Sequence, residues 1–257
     1  MSFDPHAEDF QRLGLRYART LDGADPFGAA RAFARFGRRF SQNRDALPQS
    51  DGDRAFHLVA RATDLIDYQL PFAPDEACEG IIGQARQLLG EAIELDGSCH
   101  DAVRMLAAAD NPSFEGYYRF LIDGEGKVRE SCEAARAAVD LPAGEVGDLA
   151  GSLAMRPYLR WLATEASRAL ICGRYRRCVE ISHRLLELDA SDPADVRLTL
   201  ALAYAKLEDA AALERLARRD AEAGRAPSAW LSIAALALAF KRGETRRAEA
   251  LTRDVLA

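Results

Sequence analysis

Cys99 and His100 are the nearest this sequence comes to a nucleophile beside a base. Neighbours on a helix point about 100° apart, so the pair could work only if the fold brought a further group to it. Carboxylates recur three apart at Asp64/Asp67, Glu76/Glu79 and Glu91/Glu94, a spacing that shares a helix face and could hold a divalent cation. With 40 acidic residues in 257, a solvated acidic surface is the simpler reading. Gly124-Glu-Gly-Lys127 lacks the upstream glycine and the following Ser or Thr of a phosphate loop, and reads as a turn. His6, His57, His100 and His183 never fall three or four apart, so no helix face collects two of them as metal ligands. The five cysteines (Cys78, Cys99, Cys132, Cys172 and Cys178) form no CxxC and are expected as free thiols in a reducing compartment. The sequence contains no HExxH, GxSxG, GxxxxGK[ST] or GxGxxG. The sequence assigns no catalytic residue, no metal and no cofactor. A hydrolase-like enzyme is a remote reading that rests on Cys99-His100 and the acidic pairs.

The elements that carry these residues are legible in the composition. Ala numbers 49, against 8 Val, 8 Ile and 6 Thr, and that excess of the best helix former over the β-branched strand formers predicts an all-α fold. A net charge of −6 argues against a nucleic-acid or anionic-membrane partner. The longest apolar run, from Ala229 to Phe240, is too short for a membrane span, which needs about 20 residues. The acidic start lacks the order of a signal peptide, so a cytoplasmic location is expected. Only three of 34 basic residues are Lys, an arginine bias typical of high-GC bacterial genomes, which accounts for it without a bound anion.

Asp4-Pro5, Asp25-Pro26, Asn111-Pro112 and Asp192-Pro193 each place a capping side chain before a proline, and predict helix starts. Gly173 and Gly243 predict helix ends. The first helices are expected over 5–21, 25–43, 52–70 and 74–95, with 121–128 as a helix–helix connection and a loop from 141 to 151. About a dozen helices of roughly 10 to 20 residues follow from this punctuation. Three regions are expected: an N-terminal helical segment 1–75, a degenerate repeat region 76–154, and three helical hairpins over 155–257.

The C-terminal hundred residues repeat at about 34. Arg160 to Tyr175, a helix ending in Gly-x-Tyr, leads into a second helix closing on Leu-Glu-Leu-Asp189; Cys178, Ala212 and Ala248 hold the small position of successive second helices. Over 159–257 this resembles the tetratricopeptide repeat (TPR). Ala85 to Asp96, Gly97-Ser-Cys-His-Asp-Ala102, Arg156-Pro-Tyr-Leu-Arg160 and Leu188 to Arg197 extend the likeness across 76–210, toward the TPR branch that includes suppressor-of-tumorigenicity-type proteins and bacterial relatives. It lacks aromatics in Gly147 to Gly151 and the Asn residues around Ser191-Asp-Pro193. The resemblance implies a right-handed α–α superhelix of helical hairpins, with the first helix of each hairpin lining a concave groove. Positions facing that groove are then Arg160, Ala163 and Ser167, Arg197, Ala201 and Tyr204, and Trp230, Ile233 and Phe240. Tyr204 and Trp230 are alternatively core residues between hairpins, and Phe240 is expected in that core. The groove lacks the Lys and Asn of carboxylate-clamp TPR proteins, which disfavours a chaperone tail. A non-enzymatic scaffold that binds a partner peptide or helix through Arg160, Ser167, Arg197, Tyr204 and Trp230 is the expected function. The rival is a self-associating helical domain that dimerises through exposed apolar residues of the last hairpin, Ile233 to Leu251.

Overall fold

The computed structural model describes residues 4–21, 26–141, 144–225 and 228–256, and among these the chain forms twelve α-helices and no strand. Its residues divide into two compact units: an N-unit of 4–111 and 124–158, and a C-unit of 112–123 and 159–257. The helices are α1 (Pro5–Ala18), α2 (Pro26–Asn43), α3 (Asp51–Thr63), α4 (Asp75–Leu95), α5 (His100–Asp110), α6 (Phe114–Ala137), α7 (Glu145–Ile171), α8 (Tyr175–Leu188), α9 (Val196–Leu207), α10 (Ala210–Glu222), α11 (Ala229–Lys241) and α12 (Thr245–Leu256).

In the N-unit, α1 starts where Asp4-Pro5 predicts: the Asp4 carboxylate accepts from the His6 and Ala7 amides. Ser50 and Asp53 cap α3 reciprocally. A core of Val59, Leu65, Leu88, Leu89 and alanines packs α3, α4 and α5 together. The Arg12 guanidinium lies 4.2 Å above the Phe56 ring, tying α1 to α3. Beyond Thr63 the helix widens into a π-helix, Asp64–Gln69, then tightens into a 3₁₀ turn, Leu70–Phe72. Pro71 has no amide hydrogen to extend the ladder, and Leu70 sits in the helical conformation that a following proline disfavours. The widened turn leaves Tyr68 60% and Phe72 86% exposed.

Buried charges bind the N-unit together. Asp9, 1% exposed, accepts from Arg44 Nε at 2.7 Å, Arg44 Nη2 at 2.6 Å and His57 Nδ1 at 2.9 Å. Arg44 also donates to the Asp53 carbonyl, and Arg16 reaches the Asp53 carboxylate. Burial alone would push the Asp9 carboxyl up, but the bonds from His57 and Arg44 outweigh it and hold the group below the usual carboxylate range. Glu8, equally buried, takes Arg12 on one side and Arg156 on the other.

The C-unit repeats. Arg174 donates its amide to the Ala169 carbonyl, Asp209 to Tyr204, and Glu244 to Ala239: the same bond recurs every 35 residues. Each closes a first helix over a left-handed residue, at Gly173 (φ 72°), Glu208 (φ 59°) and Gly243 (φ 70°). Three first-to-second-helix turns are thus one geometry. Helix α9 packs against α8, α10 and α11, and α11 against α12. Trp161, 2% exposed, donates from Nε1 to the Leu121 carbonyl at 2.9 Å and meets the Phe120 ring at a tilt of 38°, which anchors 112–123 to the hairpins.

Several expected boundaries move. Residues 121–128 are not a connection, because α6 runs unbroken through Gly124 and Gly126. Each helix-interior glycine costs about 1 kcal/mol relative to alanine, which the burial of Leu121, Val128 and Cys132 offsets. The loop expected over 141–151 shrinks because α7 begins at Glu145, and Gly147 and Gly151 lie within the helix instead of in a turn. Asn111-Pro112 ends α5 instead of opening α6, whose first turn is capped by Ser113. Pro193 precedes α9 by three residues: Asp192, itself left-handed, caps the Val196 and Arg197 amides from outside. Asp25 lies outside the described residues.

Candidate interaction surface

Helix α11 is apolar on every side. An apolar stripe facing one neighbour would account for three or four residues per two turns; a helix that is apolar all round must be covered all round or be exposed at a cost. Ala234, Leu238 and Ala239 are buried, and Ala234 and Leu238 join Leu200, Leu213 and Leu216 in the C-unit core. On the other side Trp230, Ile233, Ala237 and Phe240 succeed one another at three, four and three residues, which places them on one face. Trp230 is 55% and Phe240 79% exposed, with Ile233 half-buried between them. Phe240 was expected in the core; it is outside because its place on the wheel is opposite Leu231, Ala235 and Leu238, the residues that meet α10 and α12. On that inner side α10, α11 and α12 leave a cleft of about 100 Å³ with Leu213, Leu231 and Leu238 in its wall. Arg247 closes its rim by bridging Glu214 at 3.0 Å and Glu244 at 3.3 Å. Glu214 thus pairs across helices, from α10 to α12.

The other groove residues read from the sequence are buried or half-buried. Arg160 is 9% exposed and Ser167 half-buried. Tyr204, 7% exposed, packs in the C-unit core with its hydroxyl 2.8 Å from His183 Nε2, and burial raises its pKa. Arg197 is held by Asp195 at 2.7 Å, Asp220 at 3.0 Å and Asp192 at 3.3 Å. Burial would make that guanidinium easier to deprotonate, yet the surrounding carboxylates more than compensate and keep it charged. Asp220 in turn takes Arg225. The structure therefore does not bring Arg197, Tyr204 and Trp230 to one open face; of the predicted set Trp230 alone is exposed, with Phe240 exposed and Ile233 half-buried beside it.

The chemistry suspected at Cys99 and His100 finds no activation. Burial pushes the Cys99 thiol up to about 11, and Asp101 and Asp96 add to it. A thiol so placed is protonated at neutral pH and a poor nucleophile. Burial also lowers the His100 pKa, which keeps the ring neutral. Among the described residues no group of three or more His, Cys, Asp and Glu could hold a metal ion, and Gly124 to Lys127 lie within α6. No helix among the described residues is long and apolar enough to cross a membrane. The two networks centred on Asp9–Arg44 and Asp192–Arg197–Asp220 escaped the sequence reading; their partners lie 35 and 23 residues apart, with no periodicity to link them.

Comparison with known proteins finds no matching family model, no matching curated protein and no matching solved structure.

Proposed function

We propose that the chain is a non-catalytic interaction scaffold of the TPR type, whose last hairpin presents Trp230, Ile233 and Phe240 to a peptide or helix of a protein partner. The observation that carries the reading is the exposed aromatic face of α11, on a helix whose opposite side, with Ala234 and Leu238, enters the C-unit core. Trp and aromatic anchors dominate binding energy at protein interfaces, and helix-in-groove recognition uses apolar side chains at three- and four-residue spacing. The hairpin turn that recurs every 35 residues supports the repeat assignment, since TPR units average 34. The protonated Cys99 thiol beside a neutral His100 supports a role without covalent chemistry.

Affinity capture from lysate of the source organism tests the proposal, with the intact chain and a Trp230→Ala/Phe240→Ala variant as parallel baits. Both substitutions sit on exposed side chains, so the two baits are expected to match in helicity and melting temperature. A protein retained by the first and lost from the second is the expected result. Equal retention by both baits, or none by either, overturns the α11 assignment. Self-association is the second reading, and the charge distribution of the N-unit favours it on separate grounds.

A further inference from the structure

Residues 64–95 hold seven carboxylates and a single base, Arg86, so this stretch carries a net −6, the same as the formal charge of the entire chain. The other residues balance. Helix α4 displays most of these acids outward: Asp75, Glu76, Glu79 and Glu94 are exposed and form no ion pair among the described residues. Gly83 and Gly90 share that outward face, and a Cβ at either would meet nothing within 4 Å. Two glycines inside a helix, with nothing near them in their own chain, leave room for another backbone to approach. Tyr68 and Phe72 stand exposed beside this face, because the π-helix and the 3₁₀ turn pack on α4. Ile82, 42% exposed, lies one turn beyond Cys78, whose thiol reaches the Ala73 carbonyl next to Phe72. The face is therefore acidic, small along its centre and aromatic at one end.

The same unit contains its complement. Helix α2 has four arginines and no acid between residues 26 and 43. Arg31, Arg35, Arg38 and Arg39 recur at four, three and one, which gathers them into one exposed stripe. None of the four forms an ion pair among the described residues. Phe36 and Phe40 point the other way, against Phe10 and Tyr17. Phe33, 42% exposed, borders the stripe. One unit thus carries a basic helix and an acidic helix face that leave each other unneutralised.

We propose that the acidic face of α4 with Tyr68 and Phe72 is the docking site for α2 of a second copy of this chain. Charge complementarity selects the occupant: the chain's basic amphipathic helix meets the surface that holds the chain's excess negative charge. The stripe from Arg31 to Arg39 spans about 12 Å at 1.5 Å per residue, and fits within the roughly 27 Å from Glu76 to Glu94. A face that receives a different face of its partner can propagate or close as a reciprocal pair.

The test uses full-length chains and sedimentation velocity at about 50 mM and about 500 mM salt. One variant, Arg31→Gln/Arg35→Gln/Arg38→Gln/Arg39→Gln, removes the basic stripe; a second, Asp75→Asn/Glu76→Gln/Glu79→Gln, removes the acidic seat. The native chain is expected to associate at low salt and to weaken about tenfold or more at high salt, where the Debye length falls below 5 Å. Each variant alone is expected to associate at least about tenfold more weakly, with circular dichroism and melting temperature retained. Mixed in equal amounts, the two are expected to regain association as one-to-one pairs, because each supplies the face the other lacks. A native chain that stays monomeric at low salt, or a mixture no more associated than its parts, overturns the proposal. Undiminished association of either variant also overturns it, by placing the contact elsewhere. A basic amphipathic peptide of Leu and Lys that binds the acidic seat of a monomeric native chain would replace the second copy with a foreign helix and equally overturn it.

Discussion

Replacing Asp9 by Asn tests whether the buried charges of the N-unit act as one network. The carboxylate is 1% exposed and receives three hydrogen bonds, two from Arg44 and one from His57. Asparagine keeps the volume but removes the charge, and only one of its two side-chain positions can still accept. Arg44, 9% exposed, then keeps Gln49 and the Asp53 carbonyl but loses its buried counter-charge. Breaking a buried pair from one side costs about 3–5 kcal/mol, because the remaining charge is left uncompensated. That is a large share of the 5–15 kcal/mol that usually separates folded from unfolded. Urea denaturation followed by circular dichroism at pH 7 is expected to show a loss of this size, with unchanged ordered helicity before the transition. In the double variant Asp9→Asn/Arg44→Gln the cost is expected to fall well short of the sum of the two single losses, since both desolvated charges are gone. The pH dependence has a definite sign. The folded pKa of Asp9 lies below its unfolded value, so its contribution is present above about pH 4 and is lost as pH falls through the folded pKa. The native chain therefore loses stability in acid more steeply than Asp9→Asn does. A loss under about 1 kcal/mol, additive single costs, or parallel acid profiles would refute the reasoning.

Glu208→Gly is expected to stabilise the C-unit by roughly 1 kcal/mol in thermal denaturation, since Glu208 holds the left-handed position that glycine fills at 173 and 243, less the small contribution of its exposed pair with Lys241. Gly83→Ala is expected to raise stability by about 0.5–1 kcal/mol, because open space surrounds the new methyl in a helix interior; a melting temperature that falls would contradict the open geometry. Arg197→Ala strips the buried Asp192 of its cation and leaves Asp220 with Arg225 alone, and is expected to cost about 3–5 kcal/mol in the same denaturation assay; a neutral effect would show Asp192 satisfied by the amides of α9 and Asp220 by Arg225. Cys99 is expected to react with a thiol reagent in the native chain orders of magnitude more slowly at pH 7 than an unhindered cysteine, and the rate should climb with pH toward its pKa of about 11; fast labelling at pH 7 would refute the burial argument.

The helices were legible where a local rule decides them. Asp4-Pro5, Gly173 and Gly243 act through the residue itself, and the structure puts the boundaries there. Gly124 and Gly126 suggested a turn because their local preference is readable while the burial of Leu121 and Val128 on either side is not. The same limit hid the candidate surface. Trp230 and Phe240 have the composition of a core, and only the positions of α9, α10 and α12 decide which side of α11 is covered. Arg197 read as a groove residue because its three carboxylate partners are assembled by a loop and a second helix. The acidic and basic faces of the N-unit, by contrast, need only the charge tally along the chain together with exposure.

The two units are interleaved along the chain, and α6 and α7 each pass from one to the other without a break. Both helices carry a weak point at the passage: Gly124 and Gly126 in α6, and Pro157 in α7, which supplies no amide hydrogen to the Leu153 carbonyl. During synthesis, domains ordinarily fold as each is completed from the N-terminus. Here the ribosome makes 112–123, a part of the C-unit, before the N-unit is finished at 158, so that segment must wait for Trp161 and the hairpins to emerge. A gene fragment that begins at 159 would deliver the hairpins without Tyr117, Phe120 and Leu121, and the indole of Trp161 would lose its carbonyl acceptor and its ring neighbour. Cutting this protein into its repeats would leave a chain whose first helix has been orphaned.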